Sequence, residues 1–315
     1  MDAIRGRERL LITRHRNHAA ADPRALRRAV RSGEMLRLRS GAYVRRAVWS
    51  ALTIDEQHRL EIAAALDASS SGLVVVGRSA AAIWGVPLLG RHDGLVHVRT
   101  TVAAGTRTEH GFRKHATSSP DQHVVQGAGV FLSSPARTVV DLALSEPFAS
   151  GVVAVDWALR TGMERDELRS VLDEVAPKQR RAHAERAIAF GDGRSGSAGE
   201  SWSRAQMEEA GLVMPVLQER FTDRQGLIGF VDFYWPQFGL VGEFDGIGKL
   251  TDPGMLAGRS PRQALADEKR REDRLRNSDR RPAVTRWLWE VLEQRGRLAS
   301  LLLSAGVRRR WTSGP

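Results

Sequence analysis

The stretch VDFYWPQFGLVGEFDG, residues 231–246, decides how this chain is read. Aromatic and aliphatic residues make two β-type runs, Ile228–Tyr234 and Leu240–Phe244, and Pro236 with Gly239 marks the turn between them. Acidic residues are depleted in strands and almost never buried without a partner. Yet Asp232 lies between Val231 and Phe233, and Glu243 between Gly242 and Phe244. Side chains repeat with period two along a strand, so Glu243 and Asp245 are expected on one face. A hairpin pairing of the two runs brings Asp232 to the same place. Three carboxylates at one point repel unless a divalent cation neutralises them, and oxygen donors without thiols suit Mg²⁺ or Mn²⁺. Such an ion polarises a phosphoryl oxygen and lowers the pKa of bound water, which is the chemistry of phosphodiester hydrolysis.

The flanking sequence supplies further candidates. Ser197–Ala210 reads as a helix with Glu200 near its start, a further metal or water ligand. Lys249, one of only four lysines, follows Asp245 by four residues and is the candidate to orient water and stabilise developing charge. The arginine-rich helix Ala266–Asn277 offers Arg271 and Arg274 to a nucleic-acid backbone, with a solvated helix face as the alternative. Pairing of Glu243 and Asp245 with Arg270 or Arg271 is the structural alternative to a metal site. A strand, Val284–Leu288, and a helix from Trp289 onward close the chain.

Four segments in order, GESWSR (199–204), VDFYWP (231–236), VGEFDG (241–246) and EKRREDRLR (268–276), carry a resemblance. Together they resemble the domain of unknown function related to very-short-patch-repair endonucleases, within the PD-(D/E)XK superfamily. The resemblance implies a restriction-endonuclease-like α/β fold, with Asp232 and Glu243 at the two acidic motif positions and Glu200 as the helix acid. The superfamily's usual lysine position holds Asp245 here, and Lys249 takes the later basic role.

Upstream, Asp22-Pro23 reads as an N-cap with proline at the first helical position. Ala25, Leu26, Ala29 and Val30 form one apolar face, Arg24, Arg27, Arg28 and Arg31 fall largely on the other, and Gly33 stops the helix. Leu36 and Leu38 then alternate with Arg37 and Arg39 before a turn at Ser40-Gly41 and a return strand at Tyr43-Val44. Helix, stop and basic hairpin describe a winged helix-turn-helix whose arginines reach phosphates and base edges of double-stranded DNA. The run from Arg24 to Val44, with VVVGRSAAAIWGVPLL (74–89) and LSSPARTVVDLAL (132–144), resembles AbiEi-family antitoxins and their relatives. That resemblance implies promoter-DNA binding by residues 1–50.

Composition agrees with a polyanion partner. Of the net charge of +11, residues 1–50 alone hold +9, from thirteen arginines against Asp2, Glu8, Asp22 and Glu34. There is no cysteine, which excludes disulfides and thiolate metal sites. No apolar run approaches the roughly 20 residues that cross a bilayer, and none resembles a secretory signal, so no membrane and a cytoplasmic location are expected. His97, His110, His115 and His123 lack tight ligand spacing and read as core or surface residues.

The chain is thus expected to be a multidomain α/β protein: a winged helix-turn-helix (1–50), an AbiEi-like middle α/β domain (51–177), a Gly/Ser-rich linker (178–196) and a nuclease-like domain (197–315). The expected function is a Mg²⁺- or Mn²⁺-dependent DNA endonuclease in phage defence or a mobile element. The alternatives are an antitoxin-like transcriptional regulator with an inactive nuclease fold and a nuclease acting on RNA. A lone winged helix favours a homodimer, and any cognate toxin is unknown.

Overall fold

A computed structural model describes residues 7–12, 22–68, 72–100, 105–116, 121–127, 129–175, 178–246 and 261–310. They form a mixed α/β protein in two compact units, residues 1–146 with 163–188 and residues 147–162 with 189–315. No helix among the described residues is long and apolar enough to cross a membrane.

The first unit opens with a short strand β1 (Leu11–Ile12) and helix α1 (Pro23–Arg31). Asp22 caps α1 by accepting the Arg24 N–H at 2.9 Å, and Pro23 sits at its first turn. Gly33, at φ +80°, lets the chain turn into the hairpin β2 (Met35–Arg39) and β3 (Ala42–Arg45), and β1 pairs on the other edge of β3. After α2 (Arg46–Ser50), Thr53 and Glu56 form a reciprocal capping box that starts α3 (Ile54–Ala68). Val44 of the hairpin, Leu60 and Ile62 of α3, and Val75 and Val96 of the next sheet pack in one core. The hairpin and the middle region therefore share an interior, and no domain border falls at residue 50.

That next sheet holds six strands in the order β6-β7-β5-β4-β9-β8. They are β4 (Val74–Val75), β5 (Val96–Thr100), β6 (Arg107–Glu109), β7 (Phe112–Ala116), β8 (Val124–Gly127) and β9 (Val130–Ser133). Helix α4 (Gly77–Trp84) follows β4, and α5 (Pro135–Ser145) follows β9 with Ser134 as its cap. Next come α6 (Phe148–Arg160), α7 (Arg165–Val175) and α8 (Lys178–Phe190). The segment expected as a linker is thus helical for most of its length. Ala184, Ala187 and Ile188 are buried at helical spacing, so its charge run is the outer face of an amphipathic helix.

The second unit takes α6 and continues with α9 (Ala198–Glu209), capped by Ser197. Inside it Arg204 of α9 donates to Asp156 of α6 at 2.7 Å and to the Phe190 carbonyl at 3.0 Å. Its sheet runs β10-β11-β12-β13, comprising β10 (Val216–Asp223), β11 (Gly226–Trp235), β12 (Leu240–Phe244) and β13 (Ala283–Trp287). The first three pair antiparallel and β13 joins β12 in parallel. Helix α10 (Pro261–Arg276) contributes Leu275 to a core with Val231, Tyr234 and Val241. The other core holds Met207, Phe233, Trp235, Phe244 and Trp287, closed by α11 (Trp289–Glu293) and α12 (Arg297–Ser304). Gly199 of α9 has no room for a side chain, because a Cβ there would enter the Phe244 ring. That close approach sets Glu200 against the sheet.

Candidate active site

The strand registers build the site. The ladder between β11 and β12 pairs Trp235–Leu240, Tyr234–Val241 and Phe233–Gly242, so the next rung faces Asp232 with Glu243. Backbone pairing stops there, and the Phe244 N–H donates instead to Asp232 Oδ2 at 2.9 Å. On β10, Gln218 stands between the rungs Leu217–Phe233 and Glu219–Val231, which places it across from Asp232. On the other side Glu243 pairs with Arg286 of β13. One row, Gln218–Asp232–Glu243–Arg286, therefore crosses the whole sheet.

Each end of the row is tied down. Gln218 adopts a left-handed backbone, φ +51°, which costs roughly 1–2 kcal/mol for a residue with a side chain. Its amide Nε2 donates to Glu200 Oε2 at 3.1 Å and to Asp232 Oδ1 at 3.4 Å. Glu200 is buried, and the same oxygen accepts the Gly196 N–H at 2.8 Å. The helix acid is thus joined to the strand acid through an amide.

Glu243 is only 3 % exposed. Burial pushes its pKa up, with Asp232 adding to the rise, while Arg271 and Arg286 act against it. Arg271 of α10 answers that charge with a two-pronged fork, Nη2 to Oε1 at 3.0 Å and Nη1 to Oε2 at 3.1 Å. Burial works against the Arg271 charge too, yet its bonds to Glu243 leave its pKa raised. Arg286 lies farther from Glu243, at 3.9 Å, and within 3.5 Å of Asp245, Glu268 and Glu272.

Several sequence expectations change. Asp245 is held by different bonds from Asp232. It follows the end of β12, its N–H bonds the Trp287 carbonyl, and its carboxylate meets Arg286 at 3.4 Å. Among the described residues no group of three or more His, Cys, Asp or Glu side chains is placed to hold a metal ion. Lys249 lies outside the described residues. Arg271 is engaged by Glu243, and Arg274 forks onto Asp223 at 2.7 and 2.8 Å. The partners of Glu243 and Asp245 are Arg271 and Arg286, while Arg270 pairs with Asp267.

The N-terminal arginines divide. Arg24, Arg27, Arg28, Arg31 and Arg37 are exposed along α1 and β2. Arg39 is not available in the same way. It donates to the carbonyls of His110 and Gly111 at 3.0 and 2.8 Å and covers the Phe112 ring at 4.8 Å. Burial lowers its pKa, and its task is to pin the hairpin to the turn before β7.

Two hard carboxylates match the number that Mg²⁺ commonly takes, with water and substrate phosphate filling the rest of its shell. Asp232 and Glu243 fit in number and chemistry. Both oxygens of Glu243 accept from the Arg271 fork. Gln218, Glu268 and Arg286 were missed by sequence reasoning. Arg286, a basic residue within an apolar strand, was the one detectable signal.

No family model matches the chain. Two curated relatives from Mycobacterium tuberculosis, the uncharacterized proteins MT2308 and Rv2248 of two strains, are each 30% identical over 142 residues. The match covers 45% of this chain and 52% of each relative, so the chain spans about half the length of the curated relatives it matches. A solved structure, the RV2827C protein of Mycobacterium tuberculosis, aligns over 63% of this chain and 76% of its own at 16% identity and a TM-score of 0.35. A likeness that loose carries no argument about fold or function.

Proposed function

We propose that this protein hydrolyses phosphodiester bonds of double-stranded DNA with Mg²⁺ or Mn²⁺ at a centre built on Asp232 and Glu243. The observation that carries the reading is the buried Glu243 facing Asp232 across adjacent strands. Like charges directly opposite destabilise a sheet, and a buried carboxylate is costly unless a cation stands beside it. A row of this kind is explained by a site that takes up positive charge. Bound there, the divalent ion supplies Lewis acidity and a water of lowered pKa. Gln218 and Glu200 hold the Asp232 carboxylate in place, and the exposed arginines of α1 and β2 give the electrostatic attraction to the DNA backbone.

A second reading is a DNA-binding regulator in which the centre is only structural. The Arg271 fork favours it, because both oxygens of Glu243 are already satisfied. Nicking of supercoiled plasmid by the full chain, with Mg²⁺ or Mn²⁺ and with EDTA, separates the two. Metal-dependent nicking that disappears in an Asp232→Ala, Glu243→Ala double variant supports the hydrolase. Salt-sensitive DNA binding with no cutting of plasmid, linear duplex or single strands supports the regulator.

A further inference from the structure

We infer that Arg271 is a displaceable counterion: it neutralises Glu243 in the free protein and exchanges that carboxylate for a backbone phosphate of the arriving nucleic acid. The inference rests on the hydrolase reading and names how the same site is opened.

Arg271 reaches Glu243 from α10, outside the sheet, and its side chain keeps 24% of its surface exposed. Its guanidinium lies along the backbone of β11, where Nη2 also donates to the Phe230 carbonyl at 2.7 Å. Gly229, at φ +149°, leaves it that space, since a Cβ there would stand 3.2 Å from Nε. The neighbouring Phe230 ring is 52% exposed. The guanidinium is therefore buried on the side of Glu243 and open on the side of solvent.

Arg286, the other cation of the row, has no such freedom. It comes from within the sheet and has four carboxylates within 4 Å, those of Glu243, Asp245, Glu268 and Glu272. Removing it would strip charge from all four. Arg271 shares Glu268 with Arg286, so among the carboxylates only Glu243 loses its close partner when Arg271 departs.

The guanidinium fork fits a phosphate as well as it fits a carboxylate, with two parallel N–H donors in each case. Exchange replaces the two Glu243 bonds of Arg271 with two to phosphate and gives up its bonds to the Phe230 carbonyl and Glu268. It leaves Glu243 with two unbonded oxygens beside Asp232, an anionic pair that draws a divalent ion. Metal and nucleic acid would then bind with positive coupling, each favouring the state in which the fork has moved.

The test is Mn²⁺ binding to the full chain without nucleic acid, read by electron paramagnetic resonance, in wild type, Arg271→Ala and Glu243→Gln. Arg271→Ala is expected to bind Mn²⁺ at least about tenfold more tightly than wild type, and Glu243→Gln more weakly than either. A companion measurement follows a fluorescent DNA duplex by anisotropy, in EDTA and in Ca²⁺. Ca²⁺ should raise duplex affinity in wild type more than in Arg271→Ala. Equal Mn²⁺ affinity in wild type and Arg271→Ala overturns the counterion, even where plasmid nicking persists and the hydrolase reading stands. Absence of Mn²⁺ binding in every variant overturns both. Should Arg271→Ala fail to fold, Arg271→Lys keeps the charge without the fork. It is then expected to bind Mn²⁺ more tightly than wild type, and equal affinity overturns the proposal again.

Discussion

Asp232 and Glu243 face each other one rung past the last backbone-paired rung of β11 and β12, and the Asp232 carboxylate takes the N–H that the ladder leaves over. The strands part where the acids meet. The guanidinium of Arg271, from α10, bonds both Glu243 and the Phe230 carbonyl beside them.

Breaking the pair on one side should be costly. Arg271→Ala leaves Glu243 buried without its close cation, a change that typically destabilises by about 3–5 kcal/mol. The double variant Arg271→Gln, Glu243→Gln should lose less than the sum of the two single changes. Urea unfolding in metal-free buffer measures all three, and strict additivity would argue against direct coupling.

Gln218 separates positioning from stability. Asn tolerates a left-handed backbone but is one methylene too short to span Glu200 and Asp232. Gln218→Asn should stay within about 1 kcal/mol of wild type in stability. Plasmid nicking should nonetheless fall about tenfold, the equivalent of one lost orienting interaction. Unchanged nicking would remove Gln218 from the site.

Two arginine substitutions near the N-terminus should behave oppositely. Arg27→Ala, on the exposed face of α1, should change stability by less than about 0.5 kcal/mol. It should also flatten the slope of log affinity for DNA against log salt by about 0.9. Arg39→Ala should cost about 2 kcal/mol, from two carbonyl bonds and a ring contact, and leave the slope unchanged. Titrations at several salt concentrations, with thermal unfolding, check both.

The first unit carries a pH dependence centred on His97. Burial lowers its pKa to about 4, against the opposing pull of Asp93 and with His115 and Arg113 adding to the fall. Asp93 Oδ2 lies 3.1 Å from Nε2, and His115 Nε2 lies 3.1 Å from Nδ1. A histidine depressed in the folded state contributes stability that is present above its unfolded pKa of about 6.5 and is lost as pH falls toward the folded value. Between pH 7 and pH 5 the wild type should lose about 2 kcal/mol from this source. Urea unfolding of His97→Gln should show a correspondingly shallower fall, and parallel curves would exclude the residue.

Much of this was legible in the sequence because it is local. The Asp22-Pro23 and Ser134-Pro135 caps and the helix after Ser197 follow from neighbouring residues, and so do the two strands carrying Asp232 and Glu243. What escaped is non-local. Glu243 meets Arg286 only through the register of a parallel strand more than forty residues away. The Lys178–Phe190 helix was missed because its charges outnumber its three buried apolar residues. Arg39 looked like a wing arginine because alternation gives the direction of a side chain and not what lies beyond it.

The buried bond between Asp156 and Arg204 has a bearing on how such a protein can be inherited. It joins α6, which belongs to the second unit, to α9, which comes after the chain has gone back through the first unit and returned. Neither unit is one continuous stretch, so a single recombination point cannot transfer one of them without part of the other. A cut before residue 197 would deliver the acidic strands and Arg204 without Asp156. Exchange of one unit alone between genes therefore needs three breakpoints, which favours the two units travelling together.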